Sequence, residues 1–219
     1  VLHQGRVWGR FESIMVGEHN LYNQVAAAAV LDGEGVAPDE VQAAFRSFRG
    51  IKRRQEVLGS PGDVTVIDDF AHHPTAVRVT LEALRLRFGG RRLWAIFEPR
   101  SNTSRRNIFQ AEYAASFDAA DVVVIAPPRD LERIAPEERM DAHALVAAIR
   151  ARGREAFLWG AGPEGGPAPL LGAEESAEDI VARVVANTMP EDVVAVLSNG
   201  GFGGLHRKLL AGLERRFEG

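Results

Sequence analysis

The chain has 219 residues, of which 46% are hydrophobic and 26% charged, and its formal net charge is -4. This mildly acidic balance disfavours a general electrostatic attraction to nucleic acid or to an anionic membrane. No stretch approaches the ~20 apolar residues of a membrane span, and no signal-peptide pattern opens the chain. Cysteine is absent, which excludes disulfides and thiolate metal sites and fits a reducing cytoplasm. We therefore expect a cytoplasmic enzyme that has neither nucleic acid nor membrane as a partner.

Two helices are predicted near the start of the chain. The chain opens in what reads as a strand, which predicts a part of a longer protein. Apolar residues then recur at helical spacing from Asn20 to Gly33. A second helix is predicted to begin at Pro38, because proline is favoured at the first helical position. We expect residues 1–50 to be the end of an earlier domain, with Gly50 and the basic run after it as a hinge.

Strands and helices alternate from residue 55 onward. Short apolar runs predict strands at residues 55–58, 64–68, 93–97, 122–125, 156–159 and 193–197. Helical spacing between and after them predicts helices at residues 77–88, 108–117, 142–149, 177–185 and 205–217. Near-continuous apolar strands separated by amphipathic helices predict an α/β fold, a mostly parallel sheet with helices on both faces. Residues 160–172, rich in glycine and proline, predict a long loop.

The second strand ends in a polar cluster, Asp68-Asp69-Phe70-Ala71-His72-His73-Pro74. Ligands of open α/β sheets bind beyond the carboxyl ends of the strands, so this cluster predicts a binding site. Oxygen and imidazole ligands would suit a divalent metal. Adjacent strand residues point to opposite faces, however, so Asp68 and Asp69 cannot easily share one ion. We favour a carboxylate that accepts from a ribose hydroxyl and another group that caps the helix beginning near Pro74 or Thr75.

Two further clusters carry groups that suit a nucleotide. Asn20 and Asn23 lie three residues apart at a helix start, so their amides share one face and can read an adenine edge. Helix capping explains Asn20 about as well. Arg53 and Arg54 precede Glu56, and arginine can stack on a base and fork to phosphate. Taken alone, a solvated charge run is the simpler explanation of these arginines.

The third strand runs into a second polar segment, Glu98-Pro99-Arg100-Ser101-Asn102-Thr103-Ser104-Arg105-Arg106-Asn107. Its arginine, hydroxyl and amide side chains suit a ligand with several carboxylates, because each carboxylate can accept a forked pair of donors. A helix capped by Thr103 or Ser104 is compatible with such a site. The glycines of residues 197–204, after the last strand, let backbone approach a ligand, although a tight turn explains them almost as well.

The order and spacing of these motifs resemble one enzyme family. Three segments are similar to the Mur ligases of peptidoglycan metabolism: Gly17-Glu18-His19-Asn20-Leu21-Tyr22-Asn23, Gly50-Ile51-Lys52-Arg53-Arg54-Gln55-Glu56 and the cluster at residues 68–74. Residues 97–107 look most like the recycling member, which joins L-alanyl-γ-D-glutamyl-meso-diaminopimelate to UDP-N-acetylmuramate. The member that adds L-alanine alone is the nearest sibling, but it has a tyrosine where Phe70 stands.

The resemblance implies the end of a central ATPase domain in residues 1–50 and a Rossmann-like C-terminal domain in residues 51–219. It implies that the nucleotide site includes Asn20, Asn23, Arg54, Asp69, His72 and His73. The charge argument assigns the tripeptide to Arg100, Asn102, Ser104, Arg105, Ser198 and Asn199. ATP and Mg²⁺ are the implied cofactors. No G-x-x-x-x-G-K-[ST] phosphate loop occurs, so the catalytic groups and metal ligands are expected outside this chain.

The implied reaction is ATP-dependent amide formation through an acyl phosphate, and such chemistry depends mostly on positioning and charge neutralisation. UDP-N-acetylmuramate and the tripeptide would be the substrates. Three alternatives stay open. They are a ligase that adds L-alanine alone, a non-catalytic module that binds a nucleotide or peptide, and a metal-dependent hydrolase built on Asp69, His72 and His73.

Overall fold

The computed structural model describes residues 1–3, 5–160 and 173–217. The chain divides into two compact units, Val1–Lys52 and Arg53–Gly219. Most of the loop predicted at residues 160–172 lies outside the described residues. No helix among the described residues is long and apolar enough to cross a membrane.

The N-terminal unit contains a short ribbon and the two predicted helices. Strand β1 (Leu2–His3) pairs antiparallel with β2 (Arg6–Val7). Helix α1 spans Glu18–Gly33, and α2 spans Pro38–Ser47. The proline that opens α2 has no N–H to leave unpaired in the first turn, which is why the helix begins there as predicted.

The C-terminal unit is built on a six-stranded sheet in its described part. In chain order its strands are β3 (Glu56–Gly59), β4 (Thr65–Asp69), β5 (Leu93–Phe97), β6 (Val122–Ile125), β7 (Glu155–Leu158) and β8 (Val193–Leu197). Their order across the sheet is β3-β4-β8-β5-β6-β7. Strand β3 is antiparallel to β4, and the remaining neighbours are parallel. The predicted mostly parallel sheet is confirmed.

Helices cover both faces of this sheet. One face packs against α3 (Pro74–Phe88), α4 (Gln110–Ser116) and α5 (Ala142–Ala151). The other face packs against α6 (Ala173–Asn187) and α7 (Leu205–Phe217). The apolar stripes of these helices face the sheet, which is why their periodicity was visible in the sequence.

The central strands form a rigid frame for the loops that follow them. All residues of β4, β5 and β8 are buried. Trp94 packs in the core on one face of β5, and Phe97 packs in the core on the other. Full burial of one large apolar side chain contributes about 1.5–3 kcal/mol, so the strand ends are held firmly.

Two details differ from the sequence predictions. The antiparallel direction of β3 was not predicted, although only five residues separate it from β4 and a parallel crossover needs a dozen or more. The prediction that Thr103 or Ser104 caps the next helix was wrong. Ser104 N instead bonds Ser101 Oγ at 3.0 Å within a separate turn, and α4 begins only at Gln110.

Helix α3 begins at Pro74, as predicted, but no side chain caps it. The cap residue is His73, whose side chain accepts no hydrogen bond from the first turn. Proline at the first helical position removes one of the unpaired N–H groups that a cap would otherwise satisfy. The expectation of a capping side chain here was therefore wrong.

Candidate functional site

Three neighbouring parallel strands end at the same level on one edge of the sheet. Asp69 of β4 pairs in register with Leu197 of β8, which pairs in register with Phe97 of β5. Strand β8 leads into a helix on one face, whereas β4 and β5 lead into helices on the other. Adjacent strands whose connections leave in opposite directions open a crevice at their carboxyl ends, which is where such sheets bind ligands. The polar segments predicted from the sequence therefore share this crevice.

The carboxylate of Asp69 binds backbone amides on both of its oxygens. Oδ2 accepts from Gln55 N at 2.8 Å, and Oδ1 accepts from Ala71 N at 2.8 Å. Thr80 Oγ1 lies 3.4 Å from Oδ1. Burial raises the pKa of Asp69, and the backbone bonds to Ala71 and Gln55 only partly offset this. Asp69 therefore fixes the turns on either side of the strand end.

Asp68 points to the opposite face of β4, as the strand period predicted. Its Oδ2 lies 3.2 Å from Arg53 Nε, and its Oδ1 lies 3.1 Å from His206 Nε2. Burial alone would raise the pKa of Asp68, but the neighbouring side chains of His206 and Arg53 outweigh this effect and lower the pKa. The two aspartates thus belong to separate networks.

The neighbouring arginines differ in their surroundings. Arg53 is half-buried and reaches across the strand end, whereas Arg54 is exposed. The charge of Arg54 lowers the pKa of Asp69, which places it near that carboxylate. Arg54 is therefore the arginine of the pair that is available to a ligand on the Asp69 side.

The segment after Asp69 is tied to helix α4. Tyr113 donates a hydrogen bond of 2.6 Å to His72 O, and burial raises the pKa of Tyr113. His72 Nδ1 lies 3.0 Å from Phe70 O. The ring of His73 packs edge-on against Phe109 at 4.9 Å between centroids. His73 remains exposed at the sheet edge, and His72 is partly exposed.

Glu98 and Ser198 form the floor of the crevice between β5 and β8. Ser198 Oγ donates to Glu98 Oε2, and both residues are buried. Arg100 Nη1 lies 3.6 Å from Glu98 Oε1, and the Arg100 side chain is 55% exposed. Arg100 donates no hydrogen bond to another described residue at normal distance. Because its side chain is half-exposed and its contact with Glu98 is long, the Arg100 guanidinium keeps donors for a ligand carboxylate.

The other predicted residues of this segment are used mainly within the protein. Arg105 Nη1 donates to the carbonyls of Arg129 at 3.1 Å and Asp130 at 2.8 Å. Ser104 is fully buried in its turn. Asn102 is exposed. Arg105 therefore holds the neighbouring loop, while Asn102 keeps its amide free for solvent or ligand.

A recess of about 20 Å³ opens between these groups, lined in part by Glu98, Arg100, Arg105 and Phe202. This volume suffices for about one water molecule. In the loop after β8, Asn199 has a buried Oδ1 that meets no hydrogen-bond donor among the described residues. Only a small chemical group could enter this recess.

Asn20 and Asn23 lie in the other unit, both on α1. The helix begins at Glu18 after Gly17, so Asn20 is not its cap. Asn20 Nδ2 instead donates to Val16 O at 2.7 Å, and Asn23 is exposed. The capping alternative for Asn20 was therefore wrong, and the adenine contact stays a prediction.

Two residues of the crevice, Glu98 and Arg53, belonged to polar segments noted in the sequence but were not assigned to a binding site. Glu98 follows a buried strand directly, and its position at a carboxyl end could have identified it. Arg53 was considered beside Arg54 as a possible nucleotide contact, but its actual partners Ser198 and Gly200 lie far along the chain and were not predicted. Among the described residues no three histidine, aspartate or glutamate side chains group so as to hold a metal ion.

Comparison with known proteins places the chain in a family. Residues 53–200 match the model of the Mur ligase glutamate ligase domain. The UDP-N-acetylmuramate–L-alanyl-γ-D-glutamyl-meso-2,6-diaminoheptandioate ligase of Escherichia coli is 38% identical over the whole chain, which spans 42% of that protein. The UDP-N-acetylmuramate–L-alanine ligase of Anaeromyxobacter dehalogenans is 36% identical over 94% of the chain and 41% of its own length.

A solved structure agrees with these relatives. The murein peptide ligase of Psychrobacter arcticus superposes with a TM-score of 0.62 and 32% identity, covering 93% of this chain and 38% of that one. The chain thus spans about two fifths of the length of the proteins it matches. The match of the family model and the identity over the full chain together show that this chain belongs to the Mur ligase family.

Proposed function

We propose that the chain is the C-terminal part of an ATP-dependent ligase of the cytoplasm that joins L-alanyl-γ-D-glutamyl-meso-diaminopimelate to UDP-N-acetylmuramate in peptidoglycan recycling. On this proposal the unit Arg53–Gly219 is the domain that brings the tripeptide. Residues 1–50 end the central ATPase domain. The observation that carries the assignment is the half-exposed guanidinium of Arg100 at the switch-point crevice, in a chain 38% identical to a ligase named for that tripeptide.

The tripeptide side of the crevice suits an anionic peptide. Arg100 offers a forked donor to a carboxylate, and Asn102 is exposed beside it. We also assign Ser198 and Asn199, which follow β8, to this site. Arg105 and Ser104 support the segment that carries Arg100, since their polar groups are already bonded within their own loops. We assign them a role in shaping the site.

The nucleotide side is proposed around Arg54, Asp69, His72 and His73, with Asn20 and Asn23 as adenine contacts. Arg54 and His73 are exposed and free to meet a ligand. A ribose hydroxyl at Asp69 would use a lone pair of a carboxylate that already accepts two backbone N–H groups. ATP would be bound here only through its adenosine, because the chain carries no recognised phosphate loop.

In the proposed reaction the muramate carboxylate is activated as an acyl phosphate, and the tripeptide amine displaces phosphate to form the amide. The described residues contribute orientation, because they hold the acceptor peptide in place for attack. The chain carries no recognised phosphate loop. We therefore place the metal ligands and the phosphate chemistry in the part of the ligase beyond this chain.

The test is steady-state kinetics of the full-length ligase with Arg100→Met. We expect the tripeptide KM to rise about 10-fold or more, because hydrogen bonds to a charged group contribute about 1.5–3 kcal/mol. The KM for ATP should change by less than about 2-fold, since Arg100 lies on the tripeptide side. Arg78→Met is the matched control, because Arg78 pairs only with Glu82 on the exposed face of α3.

Equal effects of Arg100→Met on both Michaelis constants would contradict the assignment. The alternative acceptor is tested in the same assay by supplying free L-alanine. Turnover with L-alanine and none with the tripeptide would identify an L-alanine ligase instead.

A further inference from the structure

Arg53 connects two strand ends through its side chain. Its Nε donates to Asp68 Oδ2 at 3.2 Å, and its Nη2 donates to Ser198 O and, at 3.0 Å, to Gly200 O. Its guanidinium also lies 5.1 Å from the centre of the Phe70 ring. One side chain therefore ties β4 to the loop that follows β8.

The backbone around Arg53 is held in an unfavourable conformation. Arg53 has φ 59° and Gln55 has φ 50°, in the left-handed region that side chains other than glycine rarely adopt. Arg53 N donates to Glu56 Oε2 at 2.7 Å, and Arg53 O accepts from Phe70 N at 2.9 Å. Such strain costs about 1–3 kcal/mol per residue and persists only where the surroundings enforce it. The position of the guanidinium is thus fixed from both ends.

The loop that Arg53 holds supports the tripeptide side of the crevice. Ser198 Oγ from this loop binds Glu98. Gly200 lies directly against the Arg100 side chain, and a Cβ at this position would clash with Arg100 Cδ and Nε. A shift of the loop would therefore move both Glu98 and Arg100.

We propose that Arg53 is a positioning residue for the tripeptide site. It holds Ser198 and Gly200 so that Glu98 and Arg100 meet the acceptor substrate in the correct geometry. Asp68 compensates its charge and fixes its direction, because a carboxylate forms a charge-assisted hydrogen bond with the half-buried guanidinium. This proposal rests on the proposed function. It adds to that function a residue that connects β4 to the loop supporting the tripeptide site.

On this proposal the adjacent residues Arg53 and Arg54 have different roles. Arg54 is exposed and lies on the Asp69 side, where the nucleotide is proposed. Arg53 serves the tripeptide side from within the protein. A substitution of either arginine by lysine keeps the charge but removes the planar fork.

The experiment compares Arg53→Lys with Arg54→Lys in the full-length ligase. For Arg53→Lys we expect the tripeptide KM to rise at least about 5-fold, since two bonds from a charged donor are lost, and the ATP KM to stay within about 2-fold. For Arg54→Lys we expect the reverse pattern. Arg78→Lys, on the exposed face of α3, should change neither constant.

Partial unfolding of a variant would have another signature. It would lower the apparent kcat, because less of the enzyme is active, and would leave both Michaelis constants unchanged. This result for Arg53→Lys would overturn the proposal. Equal increases in the two constants would overturn it as well. If the unmodified ligase does not use the tripeptide at all, the proposed function fails independently of Arg53.

Gly200→Ala tests the same connection from its other end. The added methyl group should displace Arg100 without altering any charge, and we expect the same selective rise in the tripeptide KM. An unchanged tripeptide KM in Gly200→Ala would show that the position of this loop does not control the acceptor site.

Discussion

Asp68 and Asp69 are neighbours at the end of β4 and are both buried, but they face opposite sides of the sheet. Asp68 lies beside the side chains of Arg53 and His206. Asp69 pairs with the backbone amides of Gln55 and Ala71. The pKa of Asp68 is lowered, whereas burial raises the pKa of Asp69.

The end of β4 contributes to two separate hydrogen-bond networks, one on each face of the sheet. Because strand side chains alternate, a single step along the chain moves from one network to the other. On one face, the Asp69 carboxylate stabilises the turns beside Arg54. On the other face, the Asp68 carboxylate fixes Arg53, which reaches the loop after β8.

The largest expected effect is a difference in the free energy of unfolding between variants of the two aspartates. Asp69→Ala leaves two buried amides without an acceptor, so the free energy of unfolding should fall by about 3 kcal/mol, since each unsatisfied donor costs about 1–3 kcal/mol. Asp68→Ala should cost only about half as much, because Arg53 keeps two carbonyl acceptors. Urea unfolding of the two variants measures both values. An equal or larger loss in Asp68→Ala would reverse the comparison.

A smaller effect concerns the segment that follows Asp69. Tyr113→Phe removes the hydrogen bond to His72 O, and we expect a loss of about 1 kcal/mol in the free energy of unfolding. The loop at Ser198 and Gly200 has no contact with this bond. Tripeptide binding should therefore remain unchanged, and a fall in tripeptide affinity in a calorimetric titration would show that the two faces are not independent.

The smallest effect is the pH dependence of stability. Asp68 has a lowered folded pKa, so its contribution is complete above the ordinary value of about 3.9 and is lost as the pH falls through the folded pKa. Asp69 has a raised folded pKa, so stability increases as the pH falls through that pKa toward the ordinary value.

Unfolding free energies of the unmodified chain, Asp68→Asn and Asp69→Asn between pH 3 and 7 would resolve these signs. The difference in the free energy of unfolding between the unmodified chain and Asp68→Asn should decrease as the pH falls. The difference between the unmodified chain and Asp69→Asn should increase as the pH falls from the raised pKa of Asp69 to the ordinary one. Two differences that change in the same direction would contradict the opposite shifts.

The sequence predicted the strands of the sheet better than the side-chain contacts between segments that are distant along the chain. Apolar runs located the strands, because buried parallel strands are continuously hydrophobic. The alternation of side chains also separated Asp68 from Asp69 correctly. The different surroundings of Arg53 and Arg54 could not be predicted, since they depend on carbonyls at Ser198 and Gly200 that only the folded sheet brings near.

The residues after β5 show the same limit. The sequence marked Arg100, Ser104 and Arg105 alike as ligand donors. In the structure Ser104 is buried and Arg105 is bonded to carbonyls, while Arg100 is left exposed. Which polar group stays free depends on the path of the neighbouring loop, and no local spacing reports that path.

The most direct test of the central claim is calorimetric titration of the 219-residue chain with the tripeptide and, separately, with ATP. We expect measurable binding of the tripeptide to the unmodified chain and its loss in Arg100→Met. We also expect weak or absent ATP binding, because the chain has no recognised phosphate loop. Tight binding of ATP without binding of the tripeptide would contradict that claim.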